Sequence, residues 1–332
     1  MTFTEADIRP DELLKGQAER LAADISRLIQ HRVDFVQVPC PACGAADCQP
    51  KFEKYGVPFV ECDRCQTIYA NPRPHPTHLA DYYQHSENYA YWNQYIFPAS
   101  EAVRREKIFQ PRVQRVLDLC QRFEITTGTL LEVGAGFGTF CQEIQKTQAF
   151  QRVIGIEPTP DLAQTCRDRG LEILEQPIES VQLPLESLNA IVSFEVIEHL
   201  FCPQAFLQKC YQLLAPGGLL VLTCPNCKGF DILTLGVQSS AVDNEHLNLF
   251  HPASLTHLVT ACGFQVVETQ TPGQLDAELV RKQVLAGQFS LAGQPFLQQV
   301  LIDQWETVGS TFQQFLTENG LSSNLLIAAR KP

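Results

Sequence analysis

Residues 130–140, Leu-Leu-Glu-Val-Gly-Ala-Gly-Phe-Gly-Thr-Phe, constrain this chain more than any other stretch. The apolar run Leu130, Leu131, Val133 reads as a short buried strand. The glycines behind it let the backbone turn sharply and present amide groups at the start of the next helix, which makes a ligand cradle. A dinucleotide-binding G-x-G-x-x-G would place its third glycine at position 139, where Thr139 stands; here it comes early, at Gly138. The spacing is therefore E-x-G-x-G-x-G, led by Glu132. An acid at the strand end suits a ligand bearing an ammonium group better than one bearing a pyrophosphate, and the spacing disfavours a dehydrogenase.

Downstream, strand and helix patterns alternate as a doubly wound sheet requires. Phe140–Lys146 reads as a helix, Val153–Glu157 as a strand, Asp161–Gly170 as a helix and Leu171–Leu174 as a strand. Ala190–Phe194 is the fourth strand, Leu219–Thr223 the fifth, Phe264–Thr269 the sixth and Asn324–Arg330 the last. Glu157 ends the second strand about twenty residues past the glycines, where nucleoside-binding sheets place the acid that accepts ribose hydroxyls. Together these segments predict an α/β fold with a seven-stranded doubly wound sheet.

The glycine loop, Glu157 and the turn Pro216-Gly217-Gly218 leading into an apolar strand resemble the class I S-adenosylmethionine (SAM) dependent methyltransferases, over about residues 128–270. The resemblance implies a Rossmann-like fold and SAM as cofactor. It implies a cofactor site of Glu132, Gly134, Gly136, Gly138, Glu157, Gln176, Ile178, Phe194 and Glu195. The Gln176-Pro177-Ile178-Glu179 turn lies where that family contacts adenine, although the aspartate often used there is absent.

Ahead of this domain (128–332) the expected order is a helix within 1–38, a metal-binding segment at 39–75, and an aromatic linker with helices at 76–127. Cys40-Pro-Ala-Cys43 and Cys62-Asp-Arg-Cys65 form two C-x-x-C knuckles, the spacing at which four thiolates close around structural Zn²⁺. Cys40, Cys43, Cys62 and Cys65 are the expected ligands, Cys48 a spare, and Cys224 and Cys227 ordinary loop cysteines. With no basic cluster around the knuckles, the ribbon reads as a structural staple. The tyrosines at 82, 83, 89, 91 and 95 read mainly as interdomain packing. A helical insertion at 272–320 precedes the last strand and is either a lid or a dimer surface, so a homodimer is among the expected assemblies.

Two stretches carry candidate chemistry. Asp243-Asn244-Glu245-His246 lies at the carboxyl side of the sheet, and a histidine beside a carboxylate accepts a proton near neutral pH, which makes His246 and Glu245 the candidate catalytic pair. The order ribbon, tyrosines, methyltransferase fold and Glu-His loop resembles methyltransferases that act on carbon in nucleotide-linked deoxysugars. Asp243 or Asn244 stands where those enzymes carry a tyrosine. The second stretch, Glu195-x-x-Glu198-His199, places three potential ligands on one helical face, with His246 as a fourth. A similar run in small-RNA 2′-hydroxyl and ubiquinone-pathway O-methyltransferases holds a divalent metal.

A net charge of -12 argues against nucleic acid as acceptor and leaves a small molecule. No run reaches the roughly 18 apolar residues of a membrane span, and the basic-then-apolar form of a signal peptide is missing, so a cytoplasmic setting is expected. The third function class is a non-catalytic SAM-binding protein that uses the ribbon to hold a partner.

Overall fold

A computed structural model describes residues 3–332. The chain opens with helix α1 (Asp11–Gln30), then makes a three-stranded antiparallel meander, β1 (Cys48–Lys54), β2 (Val57–Cys62) and β3 (Ile68–Ala70). Helices α2 (Pro76–Gln84), α3 (Glu87–Tyr91), α4 (Phe97–Arg104) and α5 (Gln110–Arg122) follow, the last two joined by a wide helical turn over Arg105–Phe109. Next come β4 (Thr129–Val133), α6 (Thr139–Lys146), β5 (Arg152–Ile156), α7 (Pro160–Asp168), β6 (Glu172–Leu174), β7 (Leu188–Phe194), α8 (Pro203–Leu213) and β8 (Leu214–Pro225). The chain closes with α9 (Phe230–Leu235), β9 (Asn248–Leu249), α10 (Pro252–Ala261), β10 (Gln265–Gln270), α11 (Asp276–Leu285), α12 (Pro295–Gln298), α13 (Trp305–Glu318) and β11 (Asn324–Arg330).

The main sheet has seven strands in the order β10-β11-β8-β7-β4-β5-β6, parallel except for β11, which runs antiparallel to both neighbours. Period-two alternation divides its side chains between two cores. Leu130, Val192, Val221 and Leu326 face α5 and α6, meeting Val116, Leu119, Phe140 and Ile144. Leu131, Val133, Ile191, Leu222 and Ile327 face the other way, against Phe206, Leu207 and Leu213 of α8 and Leu255, Leu258 and Val259 of α10. The strand order reverses between β4 and β7, so the loops after those two strands flank the crevice in which open α/β sheets bind ligands.

The cysteine-bearing segment is not free-standing. Its meander acquires a fourth strand, β9, from the loop that carries Glu245 and His246, with Tyr69 opposite Asn248 and Ile68 opposite Leu249. Cys40, Ala42, Val60, Cys62 and Tyr69 also join the α8/α10 core. A division drawn from composition at residue 75 hides this, because a two-residue strand leaves no periodic signal. The insertion forms α11, α12 and α13 around a core of its own that includes Ala277, Val280, Leu301 and Leu316, and residues 272–276 and Leu279 wall a cavity.

Candidate functional site

The three glycines after β4 are left-handed for different reasons. Gly134 has φ +81°, and a Cβ on it would lie 2.4 Å from Val196; Gly138 has φ +77°, and a Cβ would lie 2.5 Å from Leu171 and 2.9 Å from Cys166. Both are excluded by packing. Gly136, at φ +55°, is different, since a Cβ there would meet no atom within 4 Å. Its surface is the open part of the cradle.

Beneath it lies Glu157, a buried acid that accepts hydrogen bonds from the Gly136 amide (2.8 Å) and the Thr159 amide (2.9 Å); burial nonetheless pushes its pKa up. Glu132 is enclosed against α6. It is 2 % exposed, accepts from the Cys141 thiol at 2.9 Å, and is pushed up to about 8 by burial, against relief from Cys141 and Arg112. The carboxylate nearer the crevice is Glu195, left-handed at φ +57°, which accepts from the Thr223 hydroxyl (2.5 Å), Asn324 (3.1 Å) and Arg112 (3.2 Å). Arg112 lies 4.7 Å above the Phe194 ring, and that ring packs on Phe140. Nothing in the sequence separates Arg112 from the other cations of its helix, so its place beside Glu195 emerges only on folding. Gln176 is half-buried, whereas the Ile178 side chain lies in the core under α8 and leaves only its backbone for a ligand.

The Glu132 pKa has a stability consequence. Its folded value lies above the ordinary carboxylate value of 4.5, so between about pH 4.5 and 8 the native state holds a proton that the unfolded chain has released. That contribution favours folding on the acid side and is lost as pH rises through the interval. For cofactor-free protein we expect Glu132→Gln to raise unfolding free energy at pH 8.5, relative to its effect at pH 5.5, by about 3 kcal/mol. Urea melts at the two pH values check this, and an equal effect at both would contradict it.

Glu195 and Arg112 share a cavity of about 460 Å³ with Thr223, Asn324, Asp231 and His246. His246 is placed by the 243–248 turn: its amide and that of Glu245 both donate to Asp243 Oδ1 at 2.8 Å. Nδ1 sits 2.8 Å from the Ala241 carbonyl, which makes it the protonated nitrogen and leaves the Nε2 lone pair without a partner among the described residues.

Glu245 does not support this histidine. Its side chain turns the other way and accepts from Tyr82 (2.6 Å) and Tyr89 (2.9 Å), and burial beside Asp243 pushes it up to about 7. The carboxylate next to His246 is Asp243, with Oδ2 3.5 Å from Nδ1. The tyrosine missing from the loop is supplied by α2 and α3, so two residues read as packing are polar partners of the site. The sequence shows the tyrosines but not which of them point inward.

The 195–199 run is a turn and not the expected helix, so Glu195 points to Thr223, Asn324 and Arg112 while Glu198 and His199 gather beside His246. The His199 ring meets the His246 ring edge-on at 4.6 Å, and His199 Nδ1 lies 3.3 Å from the Tyr83 hydroxyl. Burial and the neighbouring His246 hold His199 neutral, well below the ordinary value. Glu198 is fully buried and neither carboxylate oxygen has a partner, an arrangement that pushes its pKa well up. One ligand atom from each of Glu198, His199 and His246 lies within 4.8 Å of the others. An orphaned carboxyl group beside two imidazoles is a donor set that fits a divalent cation.

The four knuckle cysteines likewise converge, with Cys40 and Cys65 sulfurs 3.5 Å apart and Cys43 and Cys62 sulfurs 3.5 Å apart. A tetrahedral zinc with bonds of about 2.3 Å separates its sulfurs by about 3.8 Å, so the set fits the ion with small adjustments. His251 is no part of the reactive cluster. It caps α10 through Ser254, and Nε2 donates to the Cys65 carbonyl at 2.8 Å. Cys224 and Cys227 are buried among apolar side chains.

Residues 103–269 match the family model described as a methyltransferase domain. A Mycolicibacterium smegmatis protein named for SAM-dependent methyl transfer is 29% identical over 142 residues, covering 42% of this chain and 53% of that one. A ubiquinone biosynthesis O-methyltransferase of Bradyrhizobium is 25% identical over 179 residues, covering 49% of this chain and 68% of that one. The chain thus spans about half to two thirds of these relatives' lengths. Among solved structures, a chain from the complex of the Haloferax volcanii Trm112 methyltransferase activator with a methyltransferase shares the fold, with a TM-score of 0.51, 15% identity, and coverage of 74% of this chain and 97% of that one. No described helix is long and apolar enough to cross a membrane. With the family match spanning half of its 332 residues and the E-x-G-x-G-x-G cradle at the reversal of a seven-stranded sheet, this chain belongs to the class I SAM-dependent methyltransferases.

Proposed function

We propose that the protein methylates a small-molecule acceptor bound in the cavity between the sheet's carboxyl edge and α11, with His246 as the base. The observation that carries this reading is the fixed tautomer of His246: the Ala241 carbonyl holds Nδ1–H, so the basic Nε2 is the free nitrogen on a residue that lines the cavity. SAM supplies an electrophilic methyl on a sulfonium, so the protein's task is to align the acceptor and remove its proton. In this reading Gly136 lies against the cofactor and Glu157 accepts its ribose hydroxyls. Glu195 faces its ammonium group, and Arg112 answers its carboxylate. Asp243 stabilises the imidazolium that forms when His246 takes the proton. A nucleotide-linked sugar is the first acceptor class to try, because Arg9, Lys107 and Arg115 also line the cavity and suit an anionic substituent. The four cysteines carry a structural zinc in this account.

A second reading, metal-assisted O-methylation, is favoured by one observation: both Glu198 oxygens are buried without partners beside His199 and His246. A divalent cation bound there would lower the pKa of an acceptor hydroxyl, and His246 would then be a ligand. Relatives named for ubiquinone biosynthesis O-methylation agree with it. Release of S-adenosylhomocysteine is to be measured over a panel of nucleotide sugars and vicinal phenols, with and without added Mg²⁺ or Mn²⁺. Turnover independent of added metal and unchanged in Glu198→Gln supports the base. Turnover that requires the metal and disappears in Glu198→Gln supports the second reading. No turnover on any acceptor would favour a non-catalytic SAM-binding protein.

A further inference from the structure

Arg73 is the largest fully buried side chain of the protein, at 0 % exposure, yet among the described residues no carboxylate pairs with it. A buried cation without a counter-charge is costly and is retained only where its hydrogen bonds do something no apolar residue can. All five of its N–H donors belong to a rigid planar fork, and the fork is spent on three backbone carbonyls. Nε donates to Ala70 (3.1 Å), Nη1 to Phe201 (3.0 Å) and Nη2 to Leu247 (3.4 Å). Phe201 lies two residues past His199, and Leu247 is next to His246. Burial pulls Arg73 down only to about 10, so it stays charged at neutral pH.

A second residue completes the tie. The Asn248 side-chain amide lies within reach of the Leu200 (2.7 Å), Glu198 (3.2 Å) and Ile197 (3.3 Å) carbonyls, and its backbone amide donates to Glu198 at 2.9 Å. Asn248 is itself paired with Tyr69 of β3, and the Ala70 amide donates to the Leu247 carbonyl at 2.9 Å. The cysteine knuckles end just before this strand, and His251 grips the Cys65 carbonyl. The 197–201 and 245–248 turns are thus joined directly by Asn248 and bridged by Arg73, and β3 braces both ties through Tyr69 and Ala70.

We propose that Arg73 is a positioning residue that sets the relative placement of His199 and His246, and that the four-cysteine turn acts on the reacting site by holding Arg73 in place. The proposal rests on the reading that these two histidines belong to the reacting site, and it names a role for the ribbon beyond stapling its own strands. The glycine loop and Glu157 share none of these bonds, so most of the proposed cofactor contacts lie outside them.

The test uses the full chain and two readouts that do not need an acceptor. Histidine imidazole NMR reports tautomer and environment at His199 and His246, with exposed His257 as internal control, and calorimetry reports S-adenosylhomocysteine affinity. Arg73→Met keeps bulk and loses the donors; Arg73→Lys restores one charged donor group. We expect Arg73→Met to displace and broaden the His199 and His246 signals, leave His257 unchanged, and alter S-adenosylhomocysteine affinity by less than about twofold, with Arg73→Lys intermediate. Cys43→Ser, which removes a knuckle ligand without touching Arg73, is expected to move the same two histidines and covers the case in which the Arg73 variants fail to fold. Unmoved His199 and His246 signals, or a collapse of cofactor affinity along with them, would overturn the proposal. Retained turnover in a His246 variant would instead sink the catalytic reading and leave the imidazole result standing, so the two failures are distinguishable.

Discussion

Replacing His246 with alanine is expected to lower methyl transfer by about two to four orders of magnitude while S-adenosylhomocysteine affinity stays within about twofold. The size follows from the role. A positioned general base removes a proton that bulk water removes poorly, and its loss is felt in kcat rather than in cofactor binding. The structure limits compensation. Asp243 Oδ1 is committed to two backbone amides at 2.8 Å, Glu245 is held by two tyrosine hydroxyls, and the half-buried His199 has Nδ1 3.3 Å from the Tyr83 hydroxyl. Single-turnover rates with saturating SAM separate the chemical step from binding, and a rate within threefold of the wild type would remove His246 from the mechanism. If the histidine serves as a metal ligand, the same variant loses the metal-stimulated turnover or needs more divalent cation to reach it, which the panel measurement detects.

Gly136→Val is the second large effect, and it falls on binding. The position has φ +55° and open space where a Cβ would stand. A β-branched residue in the left-handed region costs roughly 1–2 kcal/mol of strain, which a domain of this size tolerates. In the proposed site the branch fills the space assigned to the cofactor, and the Gly136 amide that donates to Glu157 is expected to move with it. Affinity for SAM should fall by at least about a hundredfold, equivalent to about 2.7 kcal/mol. The melting transition should fall only slightly. Gly134 and Gly138 make the contrast, because there a side chain collides with Val196, or with Leu171 and Cys166, and the expected loss is of the fold itself. Unchanged affinity in Gly136→Val would mean that the loop is not the cradle.

The main sheet was legible because its strands are continuous apolar runs separated by helices of clear period, and such runs have no other place to go than a doubly covered sheet. The glycine loop was legible because its backbone conformation excludes most other residues. The site was legible in its ingredients and not in its assembly. His246 and the Glu195, Glu198, His199 run stand out by residue type, yet their convergence depends on β9, two residues long, pairing with a strand nearly 180 positions earlier. The same dependence explains why Glu245 was paired with the wrong neighbour. Adjacent residues in an irregular turn point in different directions, and here one side chain reaches the tyrosines of α2 and α3 while the next faces the cavity. The resemblance implies that Glu132, at the end of the leading strand, touches the cofactor. On β4, residues 130 and 132 face α6, and that parity buries it against Cys141. Arg73 carried no signal at all, since a lone arginine among prolines looks like a solvated linker residue until three carbonyls converge on it.

The account stands most directly on where the reacting sulfur lies. A crystal structure of the complex with S-adenosylhomocysteine measures this, because the sulfur marks the point from which the methyl departs. The account predicts the adenosine hydroxyls on Glu157, the amino-acid portion against Gly136, and the sulfur facing the cavity that holds His246. A sulfur turned away from that cavity, with another residue closer to the departing methyl, would contradict it.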